Sequence, residues 1–196
     1  HRQSSAASDV YKRQVMGPLL LPNKHKYDVV LHFRCSDIPF NRHYQYPLLR
    51  YRWYTRALSQ VTTGVRSIAI ISCHTHLSDR QNAESCQRYC GKLVKHIADT
   101  LPRGTKVFTI CGSVDEDFSI MAQAPVLISS GSSMTCMAGF VSTGTTIFPS
   151  HARKHPYRDI PDGWVMLDSS KDFLDHEDVV DYHDVDRVHA QLSELA

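Results

Sequence analysis

The chain contains no apolar run approaching the ~20 residues of a transmembrane helix, so no helical span is expected in it. Six cysteines, at positions 35, 73, 86, 90, 111 and 136, are too sparse for a disulfide-knotted scaffold, and no CxxC pair points to zinc. A Gly-Lys-Ser/Thr phosphate loop is missing, and so is the GxSxG turn that presents a nucleophilic serine. There is no internal repeat and no low-complexity linker. Collagen, coiled coil, repeat array, membrane channel and small disulfide-rich domain are thereby excluded. What remains is ordinary globular composition: 196 residues, 42% hydrophobic and 21% charged, enough for a buried core.

The two ends differ from the middle. The first residue is His1, and Asp9-Val10-Tyr11-Lys12-Arg13-Gln14 looks like the translated end of a sequencing-library adaptor. Residues 1–14 are therefore read as a cloning or sequencing scar and set aside from the fold. The natural N-terminal part is then expected to lie outside this sequence. Residues 15–158 hold 17 Lys/Arg against 8 Asp/Glu, whereas residues 159–196 hold 2 against 11. A basic body suits an anionic ligand, and the acidic tail reads as a solvated face.

Along the chain, apolar strands alternate with helices. Asp28–Phe33 and Ser67–Ser72 read as strands, followed by a helix whose apolar stripe is Cys86, Tyr89, Cys90, Leu93, Val94, Ile97, Ala98 and Leu101. Pro102 and Gly104 end it. Lys106–Ile110, Pro125–Ser129 and Thr145–Phe148 are further strands, with helices expected over Asp115–Ala122 and Met134–Val141. The Met134–Val141 helix has no polar face and is expected to be buried. Beyond Pro149 the pattern weakens to a loop marked by Pro156, Pro161 and Gly163, then an acidic helix over residues 172–192. Such alternation predicts an α/β fold, a Rossmann-like, doubly wound parallel sheet. Its expected organisation is a Rossmann-like domain over 15–150, with an acidic loop and helix over 151–196 packed on it.

Two segments carry candidate chemistry. His32-Phe33-Arg34-Cys35-Ser36-Asp37 sits at the carboxyl end of the first strand, where open α/β sheets bind ligands. His32 and Arg34 share one side of that strand, and the guanidinium fork suits a phosphate. The plainer reading is a core-edge histidine and a surface Arg34–Asp37 pair. Ser129-Ser130-Gly131-Ser132-Ser133 lies between a strand and a helix, where hydroxyls and backbone N–H groups can hold an anion. Gly131 would let the backbone approach closely. Here the plainer reading is serine capping, which needs only one hydroxyl.

Together the segments resemble known sequences. His32-Phe33-Arg34-x-x-Asp37 looks like the HxR motif of fucosyltransferase-like glycosyltransferases of the GT-B fold. The run Asp117-Phe118-x-x-Met121-x-x-Ala124-Pro125-Val126-Leu127-Ile128-Ser129-Ser130-Gly131-Ser132-Ser133 looks like their second donor-binding motif, and Ile147-Phe148-Pro149 and the aromatics Tyr46 and Tyr51 also fit. The resemblance spans about residues 28–150. It implies one half of a GT-B architecture and transfer of fucose from GDP-fucose, or another sugar from its nucleotide, to a glycan or glycoprotein acceptor, without a metal or other cofactor. By it Arg34 would grip the pyrophosphate and steady the departing GDP, His32 would place the donor, and Ser132 and Ser133, with Ser130 and Gly131 beside them, would bind the phosphates. Where several relatives carry a second basic residue after the motif arginine, this chain has Cys35.

Asp37, the other candidate catalytic residue, is read as an orienting partner, because a carboxylate beside Arg34 is a weak base. A non-catalytic nucleotide- or glycan-binding relative is the alternative. No nucleic-acid partner and no membrane contact are expected from this segment. A Golgi lumen is implied for a eukaryotic chain of this kind.

Other clusters are read plainly. His74 and His76 with Asp79 lack a third ligand from one element. Cys86 and Cys90 lie on the apolar stripe as buried free thiols. Asp181, His183, Asp184 and Asp186 form a solvated helix face.

Overall fold

Strands β1 (Val29–His32), β3 (Ser67–Ile71), β4 (Lys106–Ile110), β5 (Val126–Ile128), β6 (Thr145–Ser150) and β7 (Trp164–Asp168) pair in one sheet in the order β4-β3-β1-β5-β6-β7. Every pairing in it is parallel. The computed structural model describes residues 20–22, 26–35, 38–41, 48–61, 64–73, 79–150 and 162–194. Five helices accompany the strands: α1 (Ile38–Asn41), α2 (Tyr51–Ser59), α3 (Arg80–Thr100), α4 (Val114–Ala122) and α5 (Ser133–Val141). A small antiparallel pair, β2 (Leu48–Leu49) with β8 (Phe173–Leu174), and a terminal helix α6 (Val185–Ser193) complete the elements. The first strand sits inside the sheet, with the next two to one side and the last three to the other. This is the doubly wound Rossmann-like order.

Burial follows from sequence alternation. Val29, Leu31 and Phe33 join one core layer with α2, α3 and α6 residues such as Trp53, Tyr89, Leu93 and Leu192. Val30, Ala69, Ile71 and Leu127 face the opposite layer with Met121 and Ala138. Helices therefore cover both faces, and the near-continuous apolar strands need that cover. Each fully buried Leu or Ile contributes about 1.5–3 kcal/mol of burial.

Helix α3 begins six residues ahead of the expected stripe, because the Asp79 carboxylate accepts from the Asn82 N–H at 2.9 Å and caps the extra turns. Of its predicted stripe, Cys86, Tyr89, Cys90, Leu93 and Ile97 are buried and Val94 and Leu101 half-buried, whereas Ala98, near the helix end, is exposed.

Four expectations are corrected. Residues 164–168, expected within a loop, form the sixth strand; its half-exposed edge position hides the burial pattern of a core strand. The tail is helical only over Val185–Ser193, because Phe173–Leu174 pairs with β2 and His176–Asp178 turns as a short 3-10 helix. Helix α5 is not buried all round, since Met137 is 54% exposed on its outer side. Cys86 is not a free thiol: it forms a disulfide with Cys35, 51 residues away, whereas Cys90 is buried and free as read.

The acidic tail packs onto basic residues. Asp172, 4% exposed in its side chain, accepts from Arg52 Nε and from an Arg56 amino group, each at 2.6 Å. Arg50 binds the Gln191 carbonyl and Glu194, and Asp186 pairs with Arg88 and Lys92. Asp184 caps α6 by accepting from the Arg187 N–H at 3.2 Å, and Asp181 accepts from the His183 N–H at 2.8 Å. Among the described residues, no group of three or more His, Cys, Asp or Glu side chains is arranged to hold a metal ion. No described helix is long and apolar enough to cross a membrane.

Candidate functional site

Strands β1 and β5 are neighbours only as far as Leu31 and Ile128. Beyond that register they part. The Phe33 N–H donates to Ile71 of β3 at 2.9 Å, and the Ser129 N–H donates to Ile147 of β6 at 2.9 Å. The chain thus turns away on both sides, opening a crevice at the carboxyl ends of the strands, where such sheets bind ligands.

His32 spans the opening. Its Nδ1 is hydrogen-bonded to Ser130 Oγ at 2.7 Å. Burial, and after it the Arg34 guanidinium, push the imidazole pKa down to about 3, so the ring is neutral at ordinary pH. Beside it lies a cleft of about 110 Å³ lined by Arg34, Ile71, Cys73, Val114, Asp117 and Met134 among others. That volume suits a phosphate-sized group, since a site for a whole drug-sized ligand takes roughly 300–1,000 Å³.

The serine turn is tightly organised. Gly131 adopts φ 81°, a left-handed conformation that glycine tolerates, and its N–H donates to Ser129 Oγ at 2.9 Å. Ser132 is 2% exposed and caps α5, accepting from the Thr135 N–H at 3.2 Å. Thr135 is the hub, with its hydroxyl 2.5 Å from Ser129 Oγ and 3.0 Å from Ser132 Oγ. Ser129, Ser130 and Ser132 therefore spend hydroxyl contacts on the turn itself and on His32. Ser133 is exposed at the first turn of α5, where the N–H groups of Ser133 and Met134 have no intrahelical partner. The positive end of the helix dipole lies there as well.

Of the residues singled out in the sequence, His32 and Arg34 line the cleft; Ser130, Gly131, Ser132 and Ser133 do not, and their turn adjoins it through the Ser130–His32 hydrogen bond and through Met134, the residue after Ser133. Asp37, Tyr46, His74 and His76 lie outside the described residues, as do residues 1–14, Pro156 and Pro161. Asp79 is the α3 cap.

Two further cleft residues had no site role in the sequence: Cys73, and Asp117, which begins the second motif. Asp117 is buried, accepting from the Gly112 N–H at 3.0 Å and from the Cys73 thiol at 2.8 Å. Burial and then the Asp117 hydrogen bond raise the Cys73 pKa, so it stays a thiol. The visible signal was positional: Cys73 follows a predicted strand, and Asp117 lies in the first turn of a helix marked by the Ser113–Glu116 capping box.

The Cys35–Cys86 disulfide ties the residue after Arg34 to α3, with Cα atoms 5.6 Å apart. The segment carrying the guanidinium is thereby anchored on a rigid element. Comparison with protein families, with curated proteins and with solved structures finds no match for this chain.

Proposed function

We propose that this chain is the donor-binding part of a fucosyltransferase-like GT-B glycosyltransferase, moving fucose from GDP-fucose to a glycan or glycoprotein acceptor without a metal. One observation carries the reading: Arg34, the neutral His32 and the start of α5 line one cleft at the switch point of the sheet. A diphosphate leaving group gathers negative charge as the sugar departs, and fixed donors aimed at it lower the barrier. Arg34 supplies a bidentate fork, and the first turn of α5 supplies N–H groups and a dipole.

His32 contributes no charge at neutral pH, so it acts by hydrogen bonding and shape, with Ser130 fixing the ring. The buried Cys35–Cys86 disulfide supports an oxidising compartment such as the secretory lumen.

Titration calorimetry in EDTA tests the reading. GDP is expected to bind more tightly than UDP, and equal or absent binding of both overturns the donor assignment. Turnover of GDP-fucose across an acceptor panel then separates transferase from binder. Tight GDP binding with no turnover would replace the transferase by a nucleotide-binding relative.

A further inference from the structure

Strand β4 is one edge of the sheet, and among the described residues it lacks the usual defences of an edge. Its sequence Lys106-Val107-Phe108-Thr109-Ile110 has one charge, at its start, and no proline. Natural edges are blunted by inward charges, proline, bulges or a covering element. Phe108 touches Tyr27, with ring centroids 5.5 Å apart, yet stays 41% exposed.

The hydrogen-bond parity is set by β3. The Lys106 N–H donates to the Arg66 carbonyl, and the Ile110 carbonyl accepts from the Ser72 N–H. In a parallel ladder both backbone groups of a residue point to the same neighbour and alternate along the strand. Residues 106, 108 and 110 therefore face β3, and Val107 and Thr109 present N–H and C=O outward. Among the described residues no strand lies on that side.

We infer that this edge pairs with the same edge of a second copy, antiparallel about a two-fold axis through Phe108. Only that register satisfies several conditions together. Val107 of one copy faces Thr109 of the other as a hydrogen-bonded pair, twice by symmetry, which uses all four outward groups of each strand. The two Phe108 residues form the non-hydrogen-bonded pair at the centre, where side chains approach most closely. Each Lys106 lies across from Ile110, so like charges stay at opposite ends.

Charge favours the same arrangement. Arg103 and Lys106 are exposed at one end of β4, and Asp115 and Glu116 are exposed in the first turn of α4 at the other. Antiparallel pairing brings the basic end of one copy to the acidic end of its mate. The joined sheets form one continuous twelve-stranded sheet.

Analytical ultracentrifugation of the 196-residue chain at micromolar concentration tests this. The wild-type chain is expected to sediment at twice the single-chain mass. Thr109→Pro removes one outward N–H while sparing the β3 ladder, and is expected to convert the dimer to a folded monomer. Phe108→Cys is expected to cross-link under mild oxidation well above the wild-type level, whereas Thr109→Cys, offset by two residues from its own copy, is not. A monomeric wild-type chain, a dimer unmoved by Thr109→Pro in a folded variant, or a missing Phe108→Cys cross-link overturns the inference. Should Thr109→Pro fail to fold, the cross-linking pair decides alone.

Discussion

His32 and Ser130, 98 residues apart in the chain, are joined by a 2.7 Å hydrogen bond across the gap where β1 and β5 diverge. The bond closes the floor of the crevice with the last side chain of β1 and one from the turn after β5. Burial, and after it the permanent cation of Arg34, keeps the His32 imidazole neutral.

That neutrality has a pH signature. The folded pKa of His32 is lowered from 6.5 to about 3, so the unfolded chain binds a proton that the folded one refuses between those values. The stability tied to the neutral ring is fully present above pH 6.5. It is lost as pH falls toward 3, by about 1.4 kcal/mol per pH unit. Urea melts of wild type and His32→Gln between pH 7 and pH 5 should show the wild type losing stability faster. Parallel curves would mean that His32 titrates normally.

Arg34→Lys should fold normally and bind GDP roughly tenfold to a hundredfold more weakly. Lysine keeps the charge and loses the fork, and a charge-assisted hydrogen bond is worth about 1.5–3 kcal/mol. Calorimetry reads the loss. Unchanged affinity would remove Arg34 from the phosphates.

Opening the Cys35–Cys86 disulfide should act on both stability and site. The bridge closes a loop with a sequence separation of 51 residues, worth about 4 kcal/mol in the chain-entropy account. A Cys35→Ser, Cys86→Ser double variant should melt correspondingly lower. Its GDP affinity should fall too, because the segment carrying Arg34 then loses its anchor on α3. A variant with lowered stability and full affinity would confine the bridge to a structural role.

Asp172→Asn should cost about 3–5 kcal/mol, since removing one partner leaves a largely buried guanidinium without its counter-charge. Arg52 is the residue left stranded, being only 18% exposed in its side chain. Thermal denaturation measures the loss, and a change under 1 kcal/mol would show that water replaces the carboxylate.

Gly144→Ala should destabilise by about 1–3 kcal/mol. A Cβ there would run into the carbonyl oxygens of Ala124 and Pro125, which are backbone atoms with little freedom to retreat. A chemical melt reads it, and wild-type stability in Gly144→Ala would show that the loop yields.

Much of the sheet was legible because buried parallel strands write themselves as apolar runs, and α3 because its stripe repeats with the helical period. Helix α2 was not, since Tyr51, Trp53 and Tyr54 crowd its buried side without a repeating aliphatic stripe, and Arg52 and Arg56 interrupt it. Strand β7 was missed because an edge strand buries too little to show a run. The two halves of the cleft could each be suspected from local residues. Their meeting depends on strand order, and the Cys35–Cys86 pair on a fold that brings positions 51 apart together, neither of which spacing encodes.

Arg50, Arg52 and Arg56, a cationic stripe that a polyanion would otherwise find, are all bound by residues between 168 and 194. The molecule in effect carries its own counterion. Heparin or nucleic acid competing for α2 must first displace a folded piece of the same chain, one that is covalently tethered and shares a strand with the sheet. A version trimmed after residue 150 would lose that internal competitor along with β7, and would behave on an ion-exchange column as a far more basic protein than the intact sequence.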